Sequence, residues 1–192
     1  MPRELTRSEL QALEDFLVKR FRAIVVAKTD LMVMQAVALA FGVIGLFVSG
    51  LPSSTDFLSR WATTLGPVVW MPTGERDPLG RLILLGHELG HVADWWADPV
   101  GYVRRYVGST ELRAKAEAQA ERRRIEVQFL LTGTLPTVSE VRTFCEHGYA
   151  VPIEAADLGE DLVEMAATST SAGVIATDVG QAVRDWLREH VS

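Results

Sequence analysis

From Leu31 to Leu51 the chain runs for twenty-one residues without a charge, and Gln35 and Ser49 are its only polar side chains. This run constrains the fold more than any other feature, because so much continuous apolar surface must leave water. As a helix it spans about 30 Å, the hydrocarbon thickness of a bilayer. Lys19, Arg20, Arg22 and Lys28 on its N-terminal side suit a membrane anchor whose N-terminal flank stays in the cytoplasm. Gln35, the interrupting glycines 42, 45 and 50, and the lack of Trp or Tyr marking both ends suit a helix buried on all sides or against a partner subunit. Both readings stand at this level. The run also holds much of the positive mean hydropathy of +0.13.

The rest of the composition narrows the classes. A chain of 192 residues supports one domain with a real core, or two small ones. Cys145 is the single cysteine, so no internal disulfide framework or multi-cysteine metal cluster is expected, and packing must supply stability. A net charge of −6 lacks the basic field of a nucleic-acid binder, so no nucleic-acid partner is expected. No period of solenoid or propeller type recurs.

Local signals give a mostly helical reading. Thr6-Arg7-Ser8-Glu9 is a capping box, and Leu10, Leu13, Leu17, Phe21 and Ile24 follow on one helical face. The mixed charge of this start and the late apolar run argue against a cleavable signal peptide. Beyond Pro52, the Ser53 to Asp56 cluster caps a short helix through Phe57, Leu58 and Trp61. Val68 to Met71 reads as a strand, and the prolines at 67 and 72 predict an edge position able to pair with an extended peptide. A helix is expected from about Leu79 to Ala97 and another from Ser109 to Leu131, closed by Gly133. Thr137 to Glu140 opens a further helix, and two more cover about Ile153 to Thr168 and Asp178 to His190. Arg122, Arg123 and Arg124 read as a solvated face.

Chemistry concentrates in Gly86-His87-Glu88-Leu89-Gly90-His91. In this H-E-x-x-H pattern one helical turn separates the histidines, so both imidazoles project from one face and can reach one Zn²⁺. Glu88 stands beside them, where its carboxylate can act on a zinc-activated water as general base and acid. Gly86 and Gly90 allow another backbone to come close. A third histidine in the metzincin position is excluded, since Ala97 stands there and Pro99 follows Asp98.

From Arg81 to about Arg124 the sequence resembles the gluzincin group of zincin metallopeptidases, in which a glutamate on a later helix completes the metal site. The resemblance implies that Glu111, Glu117 or Glu121 is that third ligand. Glu111 lies in a first helical turn with Lys115 four residues on, and Glu121 has Arg124 three residues on; both patterns suit solvated pairs. Glu117 is set among alanines at 114, 116, 118 and 120, and its Glu-x-x-Ala string looks like the third-ligand segment of several gluzincin-like families. Glu117 is therefore preferred, and Glu111 stays as the alternative because its twenty-residue separation from His91 resembles thermolysin-like enzymes. Asp94 is a candidate to orient a metal-bound histidine. Tyr102 and Tyr106, ahead of His147 and Tyr149, are candidate oxyanion donors.

The resulting expectation is an α+β, mostly α protein. Residues 1–51 form the amphipathic and apolar helices, and residues 52–192 a zincin-like metal-binding domain with a short β-sheet. The function expected is zinc-dependent hydrolysis of a peptide or protein substrate, with His87, His91 and Glu117 as ligands and Glu88, Tyr102 and Tyr106 in catalysis. The alternative is a non-catalytic structural or assembly component, since compact minimal zincins, some phage-encoded, resemble this chain. The location expected is intracellular or within a larger assembly, with anchoring through Leu31 to Leu51 as the alternative.

Overall fold

The computed structural model of the chain describes residues 4–28, 62–72, 77–108, 110–137 and 153–191, with backbone alone for 106–108, 110 and 153–160. Outside the described residues lie Leu31 to Leu51, the short helix expected around Trp61, the helix start expected at Ser139 and Glu140, and Cys145, His147 and Tyr149. Among the described residues no helix is long and apolar enough to cross a membrane.

The element order is α1 (Arg7–Arg20), β1 (Ile24–Ala27), β2 (Thr63–Leu65), β3 (Val68–Met71), α2 (Pro78–Ala97), α3 (Pro99–Gly108), α4 (Thr110–Thr132), α5 (Ile153–Ser171) and α6 (Asp178–His190). Six helices around one three-stranded sheet make the described fold α+β and mostly α.

The capping box forms as its residues dictate: the Thr6 hydroxyl accepts from the Glu9 amide, and the Glu9 side chain returns to the Thr6 amide. Helix α1 ends at Arg20 rather than running through Ile24. Arg22 takes a positive φ of 53°, and the chain turns into β1. The apolar spacing did not reveal this break because Ile24 fits a strand as well as a helix face.

The sheet order β1-β3-β2 corrects the edge expectation for Val68 to Met71. β3 is the central strand, parallel to β1 and antiparallel to β2. Its flanking prolines sit at the strand limits, where a missing N–H interrupts no ladder bond. Gly66, at φ 62°, makes the tight turn between β2 and β3 against the Trp95 indole. On β3, Val69 and Met71 are buried and face α2.

Helix α2 begins at Asp77, whose side chain accepts from the Gly80 amide, with Pro78 in the first turn. It runs through the middle of the molecule, and every residue from Leu84 to Val92 is buried. Leu10, Leu13 and Leu17 of α1, Leu82, Leu85 and Leu89 of α2, Val127 of α4 and Val183 and Trp186 of α6 form one core with β3. Helix α4 turns its other side to α5, where Ala118 and Ile125 meet Val163 and Ala166. The segment 99–108, between the two helices expected from the sequence, is itself helical: Asp98 ends α2 and its side chain accepts from the Gly101 amide to start α3.

Because Leu13 is fully buried in the core that also holds Leu85 and Leu89, Leu13→Ala is expected to cost about 2–5 kcal/mol of global stability. Urea unfolding followed by circular dichroism checks this, with a lower midpoint and a single transition expected.

Candidate metal centre

The motif helix is completed by α4, and glycine makes the approach possible. A Cβ at Gly86 would stand 2.9 Å from Val127 Cγ2, and one at Gly90 would stand 2.6 Å from Arg123 Cδ. These two positions, one turn apart, let α4 lie against the face of α2 next to His87 and His91. Ala114, Ala116, Ala118 and Ala120 are buried along α4.

Glu117 is thereby brought between the two histidines. Its Oε2 lies 3.3 Å from His87 Nε2 and 3.4 Å from His91 Nε2, and the two Nε2 atoms are 3.1 Å apart. All three side chains are buried, and the group can hold a metal ion. Glu111 is not brought there. It is exposed at the start of α4 and accepts from Lys115 at 2.8 Å, the solvated pair its sequence context predicts.

The solvated reading of Glu121 is overturned. Glu121 is 1% exposed, and its Oε2 faces His87 Nδ1 at 3.3 Å while Oε1 accepts from Arg124 Nε at 2.7 Å. The signal for it was its spacing: Glu121 follows Glu117 by four residues and so shares its face of α4. A carboxylate of one helix thus faces each ring nitrogen of His87. Burial opposes charge on His87, but hydrogen bonding and attraction to Glu117 and Glu121, with Glu88 nearby, outweigh it and push its pKa up to about 10. Burial likewise opposes ionisation of Glu117, and attraction to His91 and hydrogen bonds from both imidazoles hold it well below the usual carboxylate range. The surroundings of the two rings, with Glu88, Glu117 and Glu121 all buried, are strongly anionic and favour a cation.

Asp94 does not orient a histidine. Its Oδ1 accepts from Arg123 Nη2 at 3.0 Å, and Arg123 also donates through Nε to Asp178 at 2.9 Å, tying α2, α4 and α6 together. The expectation that 122–124 form a solvated face fails for the same reason: the Arg123 and Arg124 side chains are each 11% exposed and paired with carboxylates.

Glu88 is 6% exposed and accepts a 2.6 Å hydrogen bond from the Thr64 hydroxyl on β2. Thr64 stands opposite Val69 in the sheet, and so on the face that meets α2. Lys28, fully buried just beyond β1, feels the same carboxylate: burial lowers its pKa to about 8, and attraction to Glu88 limits the fall. No local pattern marks Thr64 or Lys28, because both reach the site only through strand pairing. Tyr102 is buried with its ring edge-on to His91, centroids 6.4 Å apart, and its hydroxyl directed at the Thr64 carbonyl at 3.4 Å. Tyr106 lies on α3, with its side chain outside the described residues. Comparison with known protein families, with curated proteins and with solved structures finds no match for the chain.

Elemental analysis of purified variants tests the ligand set. Glu117→Ala is expected to lose bound metal and Glu111→Ala to keep it, and Glu121→Ala to weaken metal affinity about 10- to 100-fold.

Proposed function

We propose that the protein is a zinc-dependent peptidase of gluzincin type, with His87, His91 and Glu117 holding the ion and Glu88 moving the proton. The observation that carries this reading is the triangle of donor atoms, with sides of 3.1, 3.3 and 3.4 Å. Tetrahedral ligands 2.0–2.1 Å from one zinc ion stand roughly 3.3–3.4 Å from each other. Two imidazoles and one carboxylate also form a donor set that leaves a fourth position open, as a catalytic site requires. When bound, zinc supplies Lewis-acid activation of water near neutral pH.

The remaining chemistry belongs to the side chains. In this reading the Glu88 carboxylate takes a proton as water adds to the carbonyl carbon of the scissile bond. It then gives that proton to the amine nitrogen as the C–N bond breaks. Glu121 keeps the proton of His87 on Nδ1, which fixes the ring orientation and leaves Nε2 for the ion. The substrate is an extended peptide. Since β3 is paired on both sides, the described sheet offers its edges at β1 and β2, and β2 is the edge next to the site because it carries Thr64, which contacts Glu88.

The test is hydrolysis of an unstructured protein by wild type and Glu88→Gln. Glu88→Gln is expected to keep its metal and lose activity by about 10²–10⁴-fold. Wild-type protein that holds stoichiometric metal but cleaves nothing would overturn the peptidase reading in favour of a structural metal in an assembly component.

A further inference from the structure

The triangle of donors fixes His87, His91 and Glu117 relative to one another, but it leaves the orientation of Glu88 unexplained. A glutamate on a helix has three rotatable bonds, and both carboxylate oxygens are equivalent acceptors until something distinguishes them. What distinguishes them here comes from the sheet. The Thr64 hydroxyl donates to Glu88 Oε2 at 2.6 Å, a contact between residues 24 apart in sequence. One hydroxyl proton can serve only one oxygen, so Oε1 stays available.

Thr64 is itself held. Its side chain is turned toward α2 because it stands opposite Val69, which is fully buried against that helix. Its carbonyl accepts from Tyr102, whose ring leans edge-on against His91 and Trp95. Two residues on, the Gly66 turn sits so close to Trp95 that a Cβ there would stand 3.3 Å from Cε2 of the indole. The hairpin carrying the hydroxyl is therefore fastened to the last turns of the helix that carries Glu88.

We propose that Thr64 is the positioning residue for Glu88: its hydroxyl fixes Oε2 and assigns Oε1 as the oxygen that exchanges the proton with water and leaving group. The role of Glu88 in this inference rests on the peptidase reading; the orientation of its carboxylate does not. Lys28 adds a positive charge near the same group, while the contact that falls on one oxygen is the Thr64 hydroxyl at 2.6 Å from Oε2. The choice requires a directional donor, which is what a threonine on this face provides.

The experiment compares wild type, Thr64→Val and Thr64→Ser, each loaded with zinc. Valine keeps the shape and removes the donor, and serine keeps the donor. A misplaced proton-transfer group costs about 10–100-fold, so Thr64→Val is expected to lower kcat by that factor with KM changed less than about twofold. Thr64→Ser is expected to stay within about threefold of wild type, and zinc content and thermal midpoint to remain at wild-type values in both variants. Crystal structures of wild type and Thr64→Val supply a readout independent of turnover, in which the Glu88 carboxylate is expected to swing to another orientation in the variant. A Thr64→Val protein with wild-type kcat, or with Glu88 unmoved, would overturn the assignment while leaving the peptidase reading intact. If wild type hydrolyses nothing, the peptidase reading fails on that result, and the crystal structures alone decide whether Thr64 orients Glu88.

Discussion

The structure depends on how closely α4 approaches α2. At Gly86 and Gly90 there is no room for a methyl group beside Val127 and Arg123. A side chain at either glycine would force Val127 or Arg123, or the helix that carries them, to shift, and interiors at near-crystalline density do not absorb such a displacement for free. The donor triangle tolerates little movement, since its sides already lie at hydrogen-bonding distances. The two glycines are weak helix formers in the middle of a helix, at about 0.5–1 kcal/mol each relative to alanine. Their presence on either side of His87 and Glu88 is explained by the contact they permit.

The same approach imposes an electrostatic demand on α4. Its inward faces carry Glu117, Glu121 and Glu126, all buried. Buried carboxylates are tolerated only where charge or N–H groups meet them. Glu121 meets His87 and Arg124. Glu126 accepts from the amides of Ala176 and Thr177 and from Arg122, so it closes the N-terminal end of α6 where backbone N–H groups are otherwise left over. Arg123 lies between Asp94 and Asp178. The arginine run at 122–124 is thus three separate neutralisations on three faces of one helix, with the Arg123 and Arg124 side chains each 11% exposed.

This explains which parts of the molecule were legible in the sequence. The helices with caps or punctuation, α1, α2 and α6, were readable because the capping residues act within four positions of what they cap. His87, Glu88 and His91 were readable for the same reason of short spacing. Glu117 could be preferred over Glu111 because each carries its surroundings with it: alanines around one, a first-turn Lys115 partner for the other. Glu121 and the arginines were misread because an i, i+3 or i, i+4 charge pair has the same spacing whether it faces water or a neighbouring helix. Burial is decided by the other helix, and within α4 only the four-residue spacing from Glu117 marks Glu121 as sharing the inward face. The sheet was hardest: β1 and β2 are 4 and 3 residues long, too short for alternation to show, and their partners are set across a separation of about forty residues for β1.

A consequence follows for how site and fold are coupled. The residues around Glu88 and the two imidazoles come from β2, α2, α3, α4 and the position just beyond β1, so no contiguous piece of the chain carries the site by itself. Lys28 reaches Glu88 only if β1 pairs with β3, and Thr64 reaches it only if the hairpin turns at Gly66. Helix α1, which leads into β1, shares its core leucines with α2. An ion bound by His87, His91 and Glu117 links the two helices whose contact forms the middle of the molecule, so binding free energy there acts directly as folding free energy. The anionic surroundings of the imidazoles are unfavourable for packing taken alone, with three carboxylates withdrawn from water around two rings. Arg124 meets Glu121 and Lys28 lies near Glu88, and a cation between His87, His91 and Glu117 would add attraction at the three donor atoms that converge on one point.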